Sequence, residues 1–411
     1  MFKFEEIKKS LIAAVWFMFF TFPIMVIKVN TVEDVIEWRW INLIAIGVGV
    51  FFLSFLWRYL LERQKLGRKK KEKSVSGQED KRKFALNREL FQQKNVKLPS
   101  ISALVILVAA FPFIVSMYQT NIMITALMYV MLGLGLNIVV GLGGLLHLGY
   151  VAFYAVGAYS YALLNYHFGL NFWICLPIGA GLSTLFGILL GIPVLRLRGD
   201  YLAIVTLAFG EITRLVLENW NDFSFGPSGI ANIPRPGFFG IDMSLQQVTN
   251  YIYFLMIGLT VLTIFVVNRL ENSRIGRAWV ALREDEVACQ AMGINTTRTK
   301  LTSFALGALW AGLAGVMFAA KTTFINPASF TVWESILVLC IVVIGGMGSS
   351  IGVLVGAVII ILLPEYLRAF SEYRLLLFGL ILVLMMVFRP GGIIISKRRV
   401  YKFEEKQKET A

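Results

Sequence analysis

The chain has 411 residues, of which 57% are hydrophobic and only 16% are charged, and its formal net charge is +14. Ordinary soluble domains have about a quarter of their residues charged, so this composition excludes them and indicates a polytopic membrane protein. Apolar runs of about 20 residues, each long enough to cross a bilayer, recur along most of the chain. We therefore predict an all-α membrane protein with about ten or eleven transmembrane or broken helices.

The N-terminal region predicts an accessory hairpin of two spans within residues 1–61. Residues 11–28 are apolar after a basic start and lack a small-residue cleavage site, so they are expected to remain as a first span. Residues 41–60 form the second. The segment 62–98 is a linker, and residues 62–97 contain 13 Lys/Arg against 5 Asp/Glu. Because it lies between hydrophobic spans, we expect it in the cytoplasm beside anionic lipids rather than on nucleic acid.

Residues 99–395 form the predicted membrane core. Its apolar segments cover about 100–118, 121–141, 144–166, 171–195, 201–219, 250–269, 300–320, 335–363 and 372–389. The segment 335–363 is too long for one span and is interrupted by glycines at 345–350, so we predict two broken or short helices there. Counting spans from the linker places the basic segments 196–200 and 270–299 in the cytoplasm, together with the tail 396–411.

A polar, helix-prone island at 274–297 separates two strongly apolar segments. We predict a cytoplasmic helix in which Arg283, Glu284, Asp285 and Glu286 are solvated and Gly293 marks the C-terminus. The apolar stripe of this helix contains Ala278, Leu282, Ala288, Cys289 and Met292. Two interpretations are open: a docking site for a partner protein, or a solvated loop.

Few polar groups lie within the predicted spans. Glu211 and Arg214 are three residues apart, which fits a structural ion pair or a contact along a transport path. The glycines around 141–144 favour a bent helix that either lines a cavity or packs in the core. The candidate translocation path consists of Asn137, Gly141, Gly143, Gly144, His147, Glu211 and Arg214.

Small residues recur at four-residue spacing on three segments. The sets are Gly179, Ser183, Gly187 and Gly191; Gly307, Ala311 and Gly315; and Gly348, Gly352 and Gly356. Such faces let helices approach closely in lipid, so we interpret them as packing seams, with a pathway lined by backbone as the alternative.

The sequence offers no catalytic or metal-binding pattern. It contains no Gly-Lys dipeptide and therefore no P-loop for ATP. The two histidines have no metal-ligand spacing, and the three cysteines suggest no disulfide framework. We expect neither enzyme activity nor a bound cofactor or metal.

Several motifs resemble those of one family. They are Gly133–Asn137 (GLGLN), Val140–Gly144 (VGLGG), Phe153–Tyr159 (FYAVGAY), Pro193–Leu207 (PVLRLRGDYLAIVTL), Phe209–Ile212 (FGEI), Gly276–Ala278 (GRA), Arg283–Glu286 (REDE) and Val343–Gly348 (VIGGMG). Over about 100–395 the chain is similar to the LivM-type permeases of high-affinity branched-chain amino-acid ABC transporters. The two-span extension and its basic linker also resemble the longer members of that family.

The resemblance implies an inner-membrane importer subunit, and the count of spans places both termini in the cytoplasm. A periplasmic binding protein would deliver leucine, isoleucine or valine. A second, homologous permease would complete the path, and two partner ATPase subunits would hydrolyse ATP.

The resemblance also implies that the island docks on an ATPase. ABC importers often carry a Glu-Ala-Ala-x-x-x-Gly pattern there; Ala288 and Gly293 match it, whereas Val287 and Cys289 replace Glu and Ala. The implied coupling residues are Gly276, Arg277, Ala278, Arg283, Glu284, Asp285, Glu286, Ala288, Met292, Gly293 and Ile294.

Three alternatives remain open from the sequence. A urea or short-chain amide permease of the same family shares most of these motifs. An ion-coupled secondary transporter would need a relay of intramembrane carboxylates, for which Glu211 is the one clear candidate. A channel would have no use for a docking helix.

Overall fold

The computed structural model describes residues 27–30, 35–38, 111–194, 197, 199–237, 244–366, 374–389 and 391–394. The chain divides into two compact units, residues 1–104 and 105–411. Most of the predicted span 11–28, the span 41–60, the linker 62–98 and the tail 396–411 lie outside the described residues.

The first unit contains a two-stranded hairpin that the sequence analysis did not predict. Strand β1 (Ile27–Asn30) pairs antiparallel with β2 (Val35–Trp38), and Ile27 lies opposite Trp38. Valine and isoleucine make up half of the two strands, and β-branched residues favour extended pairing. The predicted span 11–28 is therefore too long at its end, since residues 27 and 28 belong to β1.

The regular elements among the described residues of the second unit are helices, as predicted, and one isolated β-bridge joins Ile230 to Ile325. Its helices are α1 (Met117–Leu136), α2 (Val151–Phe168), α3 (Phe172–Val194), α4 (Asp200–Asn219), α5 (Asn221–Ser224), α6 (Leu245–Glu271), α7 (Arg274–Glu284), α8 (Glu286–Ala291), α9 (Thr296–Thr322), α10 (Val332–Gly345), α11 (Ser350–Tyr366) and α12 (Arg374–Phe388). A π-helical turn, Asn137–Leu142, extends α1, and short 3-10 turns cover Gly226–Ser228 and Pro327–Ser329.

Five helical segments among the described residues are long and apolar enough to cross a membrane. They are Met117–Leu142, Phe172–Val194, Leu245–Glu271, Thr296–Thr322 and Pro327–Gly345. The predicted interruption of 335–363 is confirmed, because α10 ends at Gly345 and α11 begins at Ser350. One boundary was wrong: α2 begins at Val151 rather than near 144, because the chain stops being helical at Gly143 and Gly144 adopts a positive φ of 68°.

Helices α1 and α9 form the centre of this unit. Helix α9 packs against α2 and α3, and α1 packs against α6 and α11. The predicted small-residue seam on α3 lies against α9: a Cβ on Gly179 would come within 2.5 Å of Val316, and one on Gly187 within 2.6 Å of Ala308. This seam is therefore a packing surface, because small residues let the backbones of two helices approach closely in lipid.

Candidate functional site

The polar island forms two helices rather than the single helix predicted. Asp285 is extended, with φ −156° and ψ 114°, and its side chain caps α8 by accepting hydrogen bonds from the N–H groups of Val287 and Ala288 at 2.8 and 3.1 Å. Aspartate is among the preferred N-cap residues, which explains why the chain ends one helix here and starts another.

Helix α7 is anchored by a residue that the sequence analysis missed. Trp279 is fully buried, and its indole N–H donates to the carbonyl oxygen of Thr299 on α9 at 2.9 Å. Leu282, three residues later, is also buried, and Gly276 lies where a Cβ would come within 2.2 Å of the Leu270 carbonyl oxygen. The i, i+3 spacing of Trp279 and Leu282 was the available signal.

The predicted apolar stripe does not continue from α7 into α8. Cys289 is buried, but Ala288 is exposed, and Val287 and Met292 are 63% and 82% exposed. Because the backbone of Asp285 is extended, helical spacing counted across it fails. Val287, Ala288, Met292 and Gly293 make up an exposed surface of small and apolar residues, called here the α8 surface.

Gly293 ends the second helix as predicted. Its φ is +79°, and its N–H donates to the carbonyl of Gln290 at 3.0 Å, while the N–H of Ile294 donates to Cys289 at 2.9 Å. This pair of bonds is the Schellman arrangement, which favours glycine at the left-handed position. Ile294 is half-buried.

Two of the four charges predicted to be solvated bind partners that are distant in the sequence. Glu286 forms an ion pair of 2.7 Å with Lys300, whose side chain is only 6% exposed. The guanidinium of Arg283 donates from Nη1 to the carbonyl oxygen of Gly141 at 2.6 Å. Glu284 and Asp285 are exposed as predicted. Helical periodicity does not predict these bonds, because the partners are 14 and 142 residues away.

The other two predicted coupling residues flank Trp279 on α7. Arg277 is exposed, and its guanidinium donates to the carbonyl oxygen of Asn272 at 3.2 Å. Ala278 is half-buried.

The bent helix predicted around residues 141–144 is the π-helical turn that follows α1. Asn137, Gly141 and Gly143 are buried there, and the side-chain oxygen of Asn137 accepts a hydrogen bond of 2.9 Å from the N–H of Gly348. Gly348 lies in the break between α10 and α11. The two interrupted helices thus meet at their interruptions.

His147 is fully buried among aromatic rings. Its ring centroid lies 5.4 Å from that of Phe153 and 5.4 Å from that of Phe304, and Nδ1 accepts a hydrogen bond of 3.2 Å from the N–H of Gly149. In this chain His147 is part of the core.

Glu211 and Arg214 form the ion pair that their spacing predicted, on helix α4. The Arg214 guanidinium lies 3.0 Å from the Glu211 carboxylate. It also lies 2.6 Å from the carboxylate of Glu218, a second partner that was not predicted. Around this triad α4 presents an exposed apolar face, with Tyr201, Ile204 and Ile212 each more than half exposed.

Two groups of contacts stand out among the predicted site residues. The structure brings Arg283 together with Asn137, Gly141 and Gly144, which the sequence analysis had assigned to different sites. Glu211 and Arg214 lie apart from them on α4. Among the described residues, no group of three or more His, Cys, Asp or Glu side chains is arranged to hold a metal ion.

The family model for the permease component of branched-chain amino acid transport systems matches residues 118–388, which contain these helices and both groups of site residues. The chain belongs to this family of transport permeases. It is 44% identical to the high-affinity branched-chain amino acid transport system permease protein LivM of Salmonella typhimurium, over 92% of this chain and 90% of that protein. It is likewise 44% identical to LivM of Escherichia coli, over 92% and 89% of the two chains.

A second type of permease from the same systems is also similar. The permease protein LivH of Escherichia coli is 31% identical over 37% of this chain and 47% of that protein. No solved structure matches the chain.

Proposed function

We propose that this chain is a permease subunit of an ABC importer that moves leucine, isoleucine and valine across the bacterial inner membrane. The observation that carries the proposal is the 44% identity to two LivM proteins over nearly the whole length of both chains. The long apolar helices of the second unit fit a membrane subunit. The match favours branched-chain amino acids over urea or amides.

Two partner ATPase subunits supply the energy in this proposal, and the chain itself binds no ATP. The α8 surface supports docking of an ATPase subunit, because Val287 and Met292 expose apolar side chains beside the charged Glu284 and Asp285. A small exposed apolar surface with a charged rim is the usual make-up of a protein contact. Ala288 and Gly293 leave space for a partner to approach.

A second, homologous permease completes the translocation path in this proposal. The similarity to LivH supports two related permeases in such systems. The exposed face of α4 is the surface that we assign to this contact, since the ion triad of Glu211, Arg214 and Glu218 lies within it. Charged groups within a membrane normally face another helix or a cavity rather than lipid. A periplasmic binding protein would deliver the amino acid from outside.

The attachments of α7 and α8 suggest how ATP hydrolysis moves the membrane helices. Trp279 and Glu286 both bind the first turns of α9, through Thr299 and Lys300. Helix α9 in turn packs along α2 and α3. Closure of the ATPases would displace α7 and α8, and α9 would follow, so the outward-open and inward-open states would alternate.

Reconstitution in liposomes tests the proposal. The complex of this chain, the second permease, the ATPases and the binding protein is supplied with labelled leucine, isoleucine, valine or urea, with and without ATP inside. We expect ATP-dependent uptake of the three amino acids. Uptake of urea alone would assign the chain to the amide permeases, and uptake that persists without ATP would contradict the ABC mechanism.

A further inference from the structure

Arg283 extends from the end of α7 to the membrane core. The residue is exposed along part of its length, while its guanidinium reaches the Gly141 carbonyl oxygen at 2.6 Å. Its stem passes so close to Gly144 that a Cβ there would lie 2.6 Å from Cγ of Arg283. Arginine can make both contacts, because its apolar stem packs against Gly144 while its charged guanidinium hydrogen-bonds to Gly141.

Three stretches of backbone meet at this point. A Cβ on Gly141 would lie 2.6 Å from the backbone nitrogen of Gly348, and one on Gly348 would lie 3.8 Å from Nη1 of Arg283. Asn137 joins the π-helical turn to the same Gly348 through its 2.9 Å bond. The end of α7, the π-helical turn and the α10–α11 break are therefore in direct contact.

The chemistry of the contact favours Arg283 in this position. Gly141 lies in the last turn of the helical stretch that ends at Leu142, where carbonyl groups have no partner within the helix and can accept from outside donors. A bond from a guanidinium to a carbonyl is charge-assisted and stronger than a neutral one. Arg283 also lies in the last turn of α7, where the helix dipole favours a positive charge.

We propose that Arg283 is a positioning residue that transmits movement of α7 to the two interrupted helices of the membrane core. The inference rests on the proposed function and adds a second route to that through α9. Interrupted helices are the parts of a membrane core whose backbone can change arrangement locally, and π-helical turns are frequent at functional sites. Arg283 connects the ATP-driven movement to these parts directly.

The test compares Arg283→Gln with Arg283→Lys in the reconstituted complex. Arg269, an exposed arginine in the last turn of α6, supplies the control Arg269→Ala. The measured quantity is leucine imported per ATP hydrolysed. We expect Arg283→Gln to assemble and hydrolyse ATP but to lower this ratio by about tenfold, the scale of one lost charge-assisted bond. Arg283→Lys keeps a charged donor and should recover part of the ratio, while Arg269→Ala should match the wild type.

Hydrogen exchange provides a readout that a merely structural role would not change. In the wild-type complex, trapping with a nucleotide analogue should alter exchange in peptides that cover 137–148 and 345–350. In Arg283→Gln that response should disappear while the response of α8 remains. A wild-type leucine-to-ATP ratio and an intact response in Arg283→Gln would overturn the inference. Lack of ATP-driven uptake by the wild-type complex would instead contradict the proposed function.

Discussion

Lys300 holds a charged ammonium group where only 6% of its side chain meets solvent, in the second turn of α9. A charge in such a place is stable when a partner compensates for the lost hydration, and Glu286 lies 2.7 Å away. At the scale of single residues, this pair and the indole of Trp279 fix α7 and α8 onto α9. The pair is thus a structural element of the proposed ATPase contact.

Replacement of Glu286 by Gln should therefore destabilise the protein more than the loss of a surface charge would. Glu286→Gln leaves Lys300 without that carboxylate, and we expect a cost of about 3 kcal/mol. The double variant Glu286→Gln with Lys300→Met should recover most of it, because no buried charge remains. Thermal unfolding in detergent compares the wild type, Glu286→Gln and the double variant, with Asp222→Asn at an exposed position as the control. Equal melting temperatures for Glu286→Gln and Asp222→Asn would contradict the prediction.

At the scale of elements, the division between α7 and α8 gives the two helices different tasks. Helix α7 buries Trp279 and Leu282 against the protein, whereas α8, six residues long, exposes Val287 and Met292. Such a short helix is not stable alone, so its cap at Asp285 and its end at Gly293 hold it in place. The exposed face of α8 is then free for a partner.

A bulky charge on the α8 surface should block that partner without affecting the fold. Ala288→Glu places a carboxylate on an exposed position, so membrane insertion and thermal stability should stay at wild-type levels. We expect at least a tenfold loss of ATPase association, the cost of an unpaired charge in an apolar contact. Co-purification with the ATPases measures it.

The matched control is Thr297→Glu, which adds the same charge at an exposed position in the first turn of α9. It should bind the ATPases normally. Equal binding by both variants would place the docking surface elsewhere on the chain.

Most helices were predictable from the sequence, whereas one helix break and several long-range bonds were not. The lengths of the apolar segments predicted the bounds of α3, α4 and α9 to within a few residues. Clusters of glycine predicted both the bend at the π-helical turn and the α10–α11 break. The division at Asp285 and the bonds of Arg283 and Glu286 were not predictable in this way. The bonds of Arg283 and Glu286 depend on contacts between residues far apart in the chain, which helical periodicity does not record. The division at Asp285 follows from a local cap, which an apolar stripe counted across it does not show.

At the scale of the whole molecule, α4 has an apolar face that the described residues leave largely uncovered. Tyr201 is 74% exposed, and Ile204 and Ile212 are 61% and 58% exposed. Lipid can cover such side chains, but the neighbouring triad of Glu211, Arg214 and Glu218 is poorly suited to lipid. The spacing of Glu211 and Arg214 predicts the pair within this triad but not the exposed face around it, because neighbouring helices determine which face is exposed.

Cysteine cross-linking in membranes tests whether the second permease covers this face. In a chain whose native cysteines are replaced, Ile204→Cys and Ile212→Cys should each cross-link to cysteines placed on the second permease. Phe265→Cys, which is 67% exposed on α6, should not. Equal cross-linking from α4 and α6 would contradict the assignment of the interface to α4.

The glycine contacts along α9 determine how far a displacement of this helix is transmitted. A helix of 27 residues is about 40 Å long, so α9 extends through most of a bilayer's thickness. Its backbone touches that of α2 and α3, and a Cβ on Gly312 would lie 2.4 Å from Ser183. Without mobile side chains between them, the three helices have little freedom to slide past one another. A shift imposed at Thr296 therefore reaches Thr322 at the opposite end as one rigid displacement, with little lost to local repacking.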